Sequence, residues 1–344
     1  MPLTVLSVAY PFAPVTADPA GGSEQVLAQL DRALTEAGHR SIVIAAEGST
    51  ALGDLIAIPA PSDDLDHADR ESLHALMRAR IAEAIAEERV DLIHLHGLDF
   101  AAYMPPPGLP LLVTLHLPFD WYPPGSLPSP ERPRTWFNPV SADQARRAPP
   151  GLDLLPPVAN GVDTDLYRPS GERGDYALIL GRVAPEKGFA DAIEAARIAG
   201  APLIAAGRLF PYDDHRRYFE EQVRPRLDAE RRFIGPVEGE AKRRLLAEAR
   251  CVLIPSTAPE TSSLVAMEAL ACGTPVIAYR AGALPEIVEP GVTGFLVDDI
   301  EELAEAIGRT ETIDPLVCRS IACERFALDR ATGAYLDLYL KLAA

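Results

Sequence analysis

Short apolar runs recur along this 344-residue chain, set off by glycine, proline or polar turn residues. Between them lie longer stretches with apolar positions three and four residues apart. The short runs read as strands buried on both faces, the longer stretches as amphipathic helices. In the first half this predicts strands at 3–10, 41–46, 90–95, 111–115 and 135–140. Helices are expected at 24–37 and 69–89, with a short one to residue 147 capped by Ser141. A second series begins at Tyr176, with strands at 177–180, 202–206, 251–254, 274–279 and 295–297 and a further unit starting at 233–237. Helices at 189–199, 240–249, 263–271 and 329–342 accompany them. Strand and helix alternating in this way form doubly wound parallel sheets. The polar, glycine-bearing stretch 168–174 has no such pattern and reads as the linker. The expectation is therefore an α/β protein of two doubly wound, Rossmann-like domains with a cleft between them, the first spanning 1–170 and the second from 171.

Length agrees with two domains of ordinary size, and 48% hydrophobic with 24% charged residues is a globular composition. Fifty acidic against 32 basic side chains give a net charge of −18. That argues against a nucleic-acid partner or an anionic membrane surface, while leaving room for a local basic pocket. No apolar run approaches the roughly 20 residues of a membrane helix, and the N-terminus reads as a first strand and not a signal peptide. Cys251, Cys272, Cys318 and Cys323 have no metal-ligand spacing, so reduced thiols in a cytoplasmic protein are expected, with no metal site.

The chemistry gathers around residues 259–278. An apolar run ends at Pro255, Thr261 and Ser262 offer side-chain caps, a helix follows, and Gly273 stands where it should stop. Glu260 lies before that helix and Glu268 about two turns into it, on the order of 12 Å apart at the helical rise. This is the reach of an extended sugar–diphosphate–ribose. The unclaimed N–H groups of the helix start fall between the two carboxylates, where a diphosphate would sit. Two glutamates beside a helix start also serve simple stability.

Further candidates come from the ends of other strands. Gly21 and Gly22, with Ser23 as a cap, lie between the first strand and first helix, where a backbone can approach a ligand closely. Arg182 and Lys187 share the loop after the first strand of the second half and could neutralise a diphosphate, although such a pair is often only a solvated surface. Among the histidines, His94 alternates into its strand and reads as structural, His96 is ambiguous, and His116 opens a loop at a strand's carboxyl end. The proline-rich segment 122–133 is an expected acceptor-side loop.

Taken together, these residues resemble the retaining, nucleotide-sugar-dependent glycosyltransferases of the GT-B fold, in the large group 1 (family 4) class. The resemblance rests on Gly21-Gly22, on His116 after Val113-Thr114-Leu115, and on Asn160-Gly161-Val162-Asp163. It rests further on Gly181-Arg182 with Lys187-Gly188, Gly235 with Val237, and Glu260 followed by Glu268 and Gly273-Thr274-Pro275-Val276. It implies that Arg182 and Lys187 hold the donor diphosphate, together with the backbone N–H groups of Ser263 and Leu264, with Val265 nearby. Glu268 would bond the ribose, Val237 would lie near the base, and Gly22 would let its loop approach the phosphates. His116 and Glu260 would act at the transferred sugar. It implies also that a terminal helix of about 326–344 crosses back to the first domain, leaving 171–325 as the donor domain, and that no cofactor or metal is needed. One departure is Thr261-Ser262-Ser263, where the family commonly has glycine and an aromatic residue. The expected reaction is transfer of a sugar from a nucleoside diphosphate to a hydroxyl of a glycan, lipid or small molecule. A nucleotide-sugar epimerase and a non-catalytic nucleotide-sugar-binding protein are the alternatives, and a dinucleotide dehydrogenase is disfavoured by the lack of Gly-x-Gly-x-x-Gly after any strand.

Overall fold

The computed structural model describes residues 2–16, 21–60, 67–127 and 132–344. The chain divides into two compact units, Met1–Ala159 with Ala331–Ala344, and Asn160–Arg330.

In the first unit, β1 (Thr4–Val8), β2 (Arg40–Ala46), β3 (Asp54–Ile58), β4 (Leu92–Leu95), β5 (Leu111–Leu115) and β6 (Thr135–Pro139) form one sheet in the order β3-β2-β1-β4-β5-β6. Every pairing is parallel. Helices α1 (Gly22–Glu36) and α2 (His67–Glu87) connect β1 to β2 and β3 to β4, and α3 (Ala142–Arg146) follows β6. In the second unit, β7 (Ala177–Arg182), β8 (Leu203–Arg208), β9 (Arg231–Phe233), β10 (Cys251–Ile254), β11 (Val276–Tyr279) and β12 (Gly294–Val297) pair in parallel as β12-β11-β10-β7-β8-β9. Its helices are α4 (Phe189–Ile198), α5 (Asp213–Tyr218), α6 (Gly239–Glu248), α7 (Leu264–Ala271), α8 (Leu284–Ile287), α9 (Ile300–Arg309) and α10 (Pro315–Arg325). Numbered within each unit, both sheets run 3-2-1-4-5-6, and each reverses direction between its first and fourth strands. Open α/β sheets bind ligands beyond the carboxyl ends of the strands at such a reversal.

The strands are apolar on both faces because both faces are covered. Leu6, Ile93 and Val113 pack on one side with Met77 of α2. Their neighbours Val5, Leu92 and Leu112 pack on the other with Leu30 and Leu34 of α1. That second face also receives α11 (Leu328–Ala343), through Tyr335, Tyr339 and Leu342. The helix is held there by buried polar contacts. His94 places Nδ1 2.7 Å from the Tyr339 hydroxyl and Nε2 2.7 Å from Thr114 Oγ1. The Tyr335 hydroxyl lies 3.2 Å from Thr114 Oγ1 and accepts from Asn138 Nδ2 at 3.1 Å. Both nitrogens of His94 are thus engaged in structure.

Several boundaries differ from the sequence reading. Residues 160–170, assigned there to the first domain, lie in the second unit. Part of the expected linker is docked on that unit, since the Gly174 N–H donates to the Glu248 carbonyl at 2.6 Å and Arg173 bonds the Gly273 carbonyl. Strand β3 escapes the pattern because only Ile58 of its five residues is fully buried. Helix α5 is likewise unforeseen, its Asp-Asp-His-Arg-Arg-Tyr being polar nearly throughout. Helix α1 begins at Gly22 with Gly21 as its N-cap, so Ser23 sits inside the helix and donates to the Glu24 carboxylate at 3.0 Å. Residues 17–20 of the glycine loop and 128–131 of the expected acceptor-side loop lie outside the described residues.

Candidate functional site

Arg182 is the last residue of β7, and β10, its neighbour across the reversal, leads through Pro255 to Glu260. The two loops are bound together. The Thr257 N–H donates to the Glu186 carbonyl at 2.9 Å. Gly188 lies at φ +69, and a Cβ there would stand 2.1 Å from the Pro255 carbonyl oxygen, so only glycine allows this approach. The result is an ion pair between loops: Lys187 Nζ is 2.6 Å from Glu260 Oε1. Ser256 Oγ donates to the same oxygen at 2.5 Å. The lysine side chain keeps 30% of its surface and the glutamate 12%, so the pair is shielded on one side and open on the other. Arg182 Nη2 lies 2.8 Å from Glu186 Oε1, while its Nε is buried without a hydrogen-bond partner among the described residues.

Helix α7 starts one residue later than its composition suggests. Ser263, and neither Thr261 nor Ser262, is its N-cap: Ser263 Oγ accepts from the Ala266 N–H at 3.4 Å. The Met267 N–H bonds the Ser263 carbonyl at 3.2 Å. The first-turn N–H groups of Ser263, Leu264 and Val265 have no acceptor within the helix, while that of Ala266 is taken by the cap. Ser262 Oγ is buried and unpartnered among the described residues. At the far end Gly273 adopts φ +75, and the bonds from Gly273 N–H to Leu270 and from Thr274 N–H to Ala269 close a Schellman turn.

Glu268 lies one turn into α7, nearer its start than the sequence spacing implied, and has no exposed surface. Its Oε1 is 2.9 Å from Nζ of Lys242 on α6, and that ammonium stands 5.6 Å from the centre of the Tyr167 ring. Val237 is half-buried in the β9–α6 connection, beside the Arg208–Glu238 pair at 2.9 Å.

In the first unit the corresponding reversal holds Gly22 after β1 and the histidines after β4 and β5. Gly22 is exposed at the head of α1. The Glu24 carboxylate folds back over that end, so a Cβ on Gly21 would meet its Oε2 at 1.9 Å. His96 Nδ1 and His116 Nε2 are 3.0 Å apart, with their ring centres at 5.3 Å and their planes 19° from parallel. Burial lowers the pKa of His116 to about 4 and holds that of His96 well below the usual imidazole range, with neighbouring histidines adding to the effect on His96.

The structure thus joins Arg182, Lys187, Glu260, Ser263, Leu264 and Val265 around one sheet reversal, and adds Ser256, Glu186 and Lys242, which the sequence did not reveal. Ser256 stands two residues beyond β10 and carried a weak positional signal. Lys242 is 26 residues from Glu268 and carried none. Among the described residues no three or more His, Cys, Asp or Glu side chains converge as a metal site, and no helix is long and apolar enough to cross a membrane.

Residues 20–148 match the family model for glycosyltransferase family 4, and residues 174–311 match that for glycosyl transferases group 1. The D-inositol 3-phosphate glycosyltransferase of Saccharomonospora viridis is 31% identical over 237 residues, covering 60% of this chain and 54% of that protein. The chain accordingly spans about half the length of the curated relatives it matches. Among solved structures, the sucrose-phosphate synthase of Thermosynechococcus elongatus superposes with a TM-score of 0.80 at 21% identity, over 98% of this chain and 99% of that one. HepE of Anabaena, solved in complex with UDP-glucose, gives 0.73 at 20% identity, over 98% and 100%. With both halves matched to their models and the two sheets sharing the architecture of these structures, the chain belongs to the group 1 (family 4) glycosyltransferases and has the GT-B fold.

Proposed function

We propose that this protein transfers a sugar from a nucleoside diphosphate donor to a hydroxyl acceptor, with retention at the anomeric carbon and without a metal. The observation that carries this reading is the cationic loop of Arg182 and Lys187 held against Glu260 at the sheet reversal, beside the open N–H groups of Leu264 and Val265. A diphosphate there would gain two cations and a helix start, enough positive character to stabilise the leaving group without a bound ion. Arg182 offers its half-buried guanidinium to donor oxygens. The bond from the anomeric carbon to the diphosphate oxygen breaks as the acceptor oxygen bonds the same face, and the acceptor proton passes to the departing phosphate oxygen. Glu260, held by Lys187 and Ser256, orients the sugar; His116, neutral at physiological pH, donates a hydrogen bond to it. Glu268, held by Lys242, takes the ribose hydroxyls. Four free cysteines suit a cytoplasmic setting. That HepE binds UDP-glucose makes a uridine donor the first to try.

The test is a thermal-shift screen against nucleoside diphosphates and their sugar conjugates, followed by acceptor-dependent release of nucleoside diphosphate and assignment of the product anomer by NMR. Stabilisation by one donor, release only with acceptor, and a retained anomer are expected. Epimerised donor without acceptor, or binding without turnover, would replace this reading with one of the alternatives.

A further inference from the structure

The pair His96–His116 contains more information than proximity. His96 keeps only 2% of its surface, and its Nε2 has no hydrogen-bond partner among the described residues. His94, whose ring centre lies 3.9 Å away, cannot serve it, because both of its nitrogens are engaged by Tyr339 and Thr114. The 3.0 Å contact between His96 Nδ1 and His116 Nε2 needs one proton between two neutral rings. Either His96 donates from Nδ1, leaving its buried Nε2 a bare lone pair, or His116 donates from Nε2, which puts the His96 proton on Nε2 with no acceptor. A buried N–H without an acceptor is the rarer orphan in folded proteins.

From this geometry we infer that His96 is a positioning residue that donates from Nδ1 to His116 Nε2 and so fixes His116 as its Nδ1–H tautomer, the form in which it meets the transferred sugar. The two rings, 19° from parallel with centres 5.3 Å apart, meet edge to edge, so the contact sets the orientation of the His116 ring as well as its proton. The contact of His116 with the sugar rests on the proposed function; the tautomer does not.

Nitrogen-15 NMR of histidine-labelled protein tests the two separately. His116, assigned by loss of its signals in His116→Asn, is expected to show a protonated Nδ1 and an unprotonated Nε2 at neutral pH. A protonated Nε2 in the wild type would overturn the inference whatever the enzyme does. In His96→Leu the His116 tautomer should become mixed, and kcat should fall about 10-fold or more with little change in donor KM. His96→Asn, which keeps a donor near the position of Nδ1, should restore the tautomer and most of the rate. A His96→Leu protein that is folded and retains both the tautomer and kcat shows the contact to be incidental. Loss of the tautomer with unchanged turnover would keep the hydrogen bond and sink the sugar role of His116.

Discussion

The Lys187 ammonium and the Glu260 carboxylate, 73 residues apart in sequence, meet at 2.6 Å and tie the loop after β7 to the loop after β10. The same two side chains that would receive the donor's phosphates and its sugar therefore hold one another before it arrives. Lys187→Ala and Arg182→Ala should each lower kcat/KM by about 100-fold or more while circular dichroism stays native. Ser256 still holds Glu260 in the lysine variant, so its collapse is not expected. Wild-type turnover in both variants would remove the diphosphate role.

Gly188→Ala should be costly out of proportion to one methyl group. The residue sits in left-handed backbone and its new Cβ would press on the Pro255 carbonyl, so strain and a forced shift of the loop add. A loss of about 2 kcal/mol or more in urea unfolding, with impaired turnover, is expected. Stability within error of the wild type would mean that the two loops are not in register as described.

Ser263→Ala separates side chain from backbone. The hydroxyl caps α7, so its removal should cost about 1 kcal/mol. The Leu264 and Val265 N–H groups remain, and donor affinity should change less than stability. Affinity falling more than tenfold would assign the hydroxyl itself to the donor.

Lys242→Met takes the ammonium away from a carboxylate with no exposed surface and should destabilise by about 3–5 kcal/mol. Adding Glu268→Gln should recover much of that loss without recovering activity. A single variant as stable as the parent would show that Glu268 is held by other contacts.

The buried histidines give stability a defined pH dependence. Folding lowers the pKa of His116 to about 4, and those of His94 and His96 fall below the ordinary value near 6.5. The unfolded chain therefore binds more protons over this window, so stability is full above it and is lost as pH falls from about 6.5 towards 4. Scanning calorimetry should give a Tm that drops through this range, and the drop should be shallower in His116→Asn. Equal slopes in the two proteins would place His116 in an ordinary aqueous setting.

What the sequence made legible follows the range of the interactions involved. The strands around β1, β4, β7 and β10 are continuous apolar runs because helices cover both their faces, and Gly273 marks the end of α7 because its local backbone demands it. Edge strand β3 keeps Leu55 exposed at 38%, and the polar α5 has little face to bury, so neither leaves an apolar signature. The cap position moved from Thr261 or Ser262 to Ser263 because three neighbouring hydroxyls have equal capping chemistry, and only the chain's entry angle selects among them. Lys187–Glu260, Lys242–Glu268 and His96–His116 are long-range meetings. Apart from Lys242, which carried no signal, composition could nominate their members but had no way to pair them.

The return of α11 to the first sheet bears on how the chain is made. The second unit is one uninterrupted stretch, whereas the first owes the Tyr335 and Tyr339 anchors of its sheet to residues synthesised after that unit. On the ribosome, the earlier half must wait with the Val5–Leu92–Leu112 face covered by α1 alone until α11 has emerged. The order of translation and the order of completion are thus reversed, and α11 acts as a closing latch on the part of the molecule that began first.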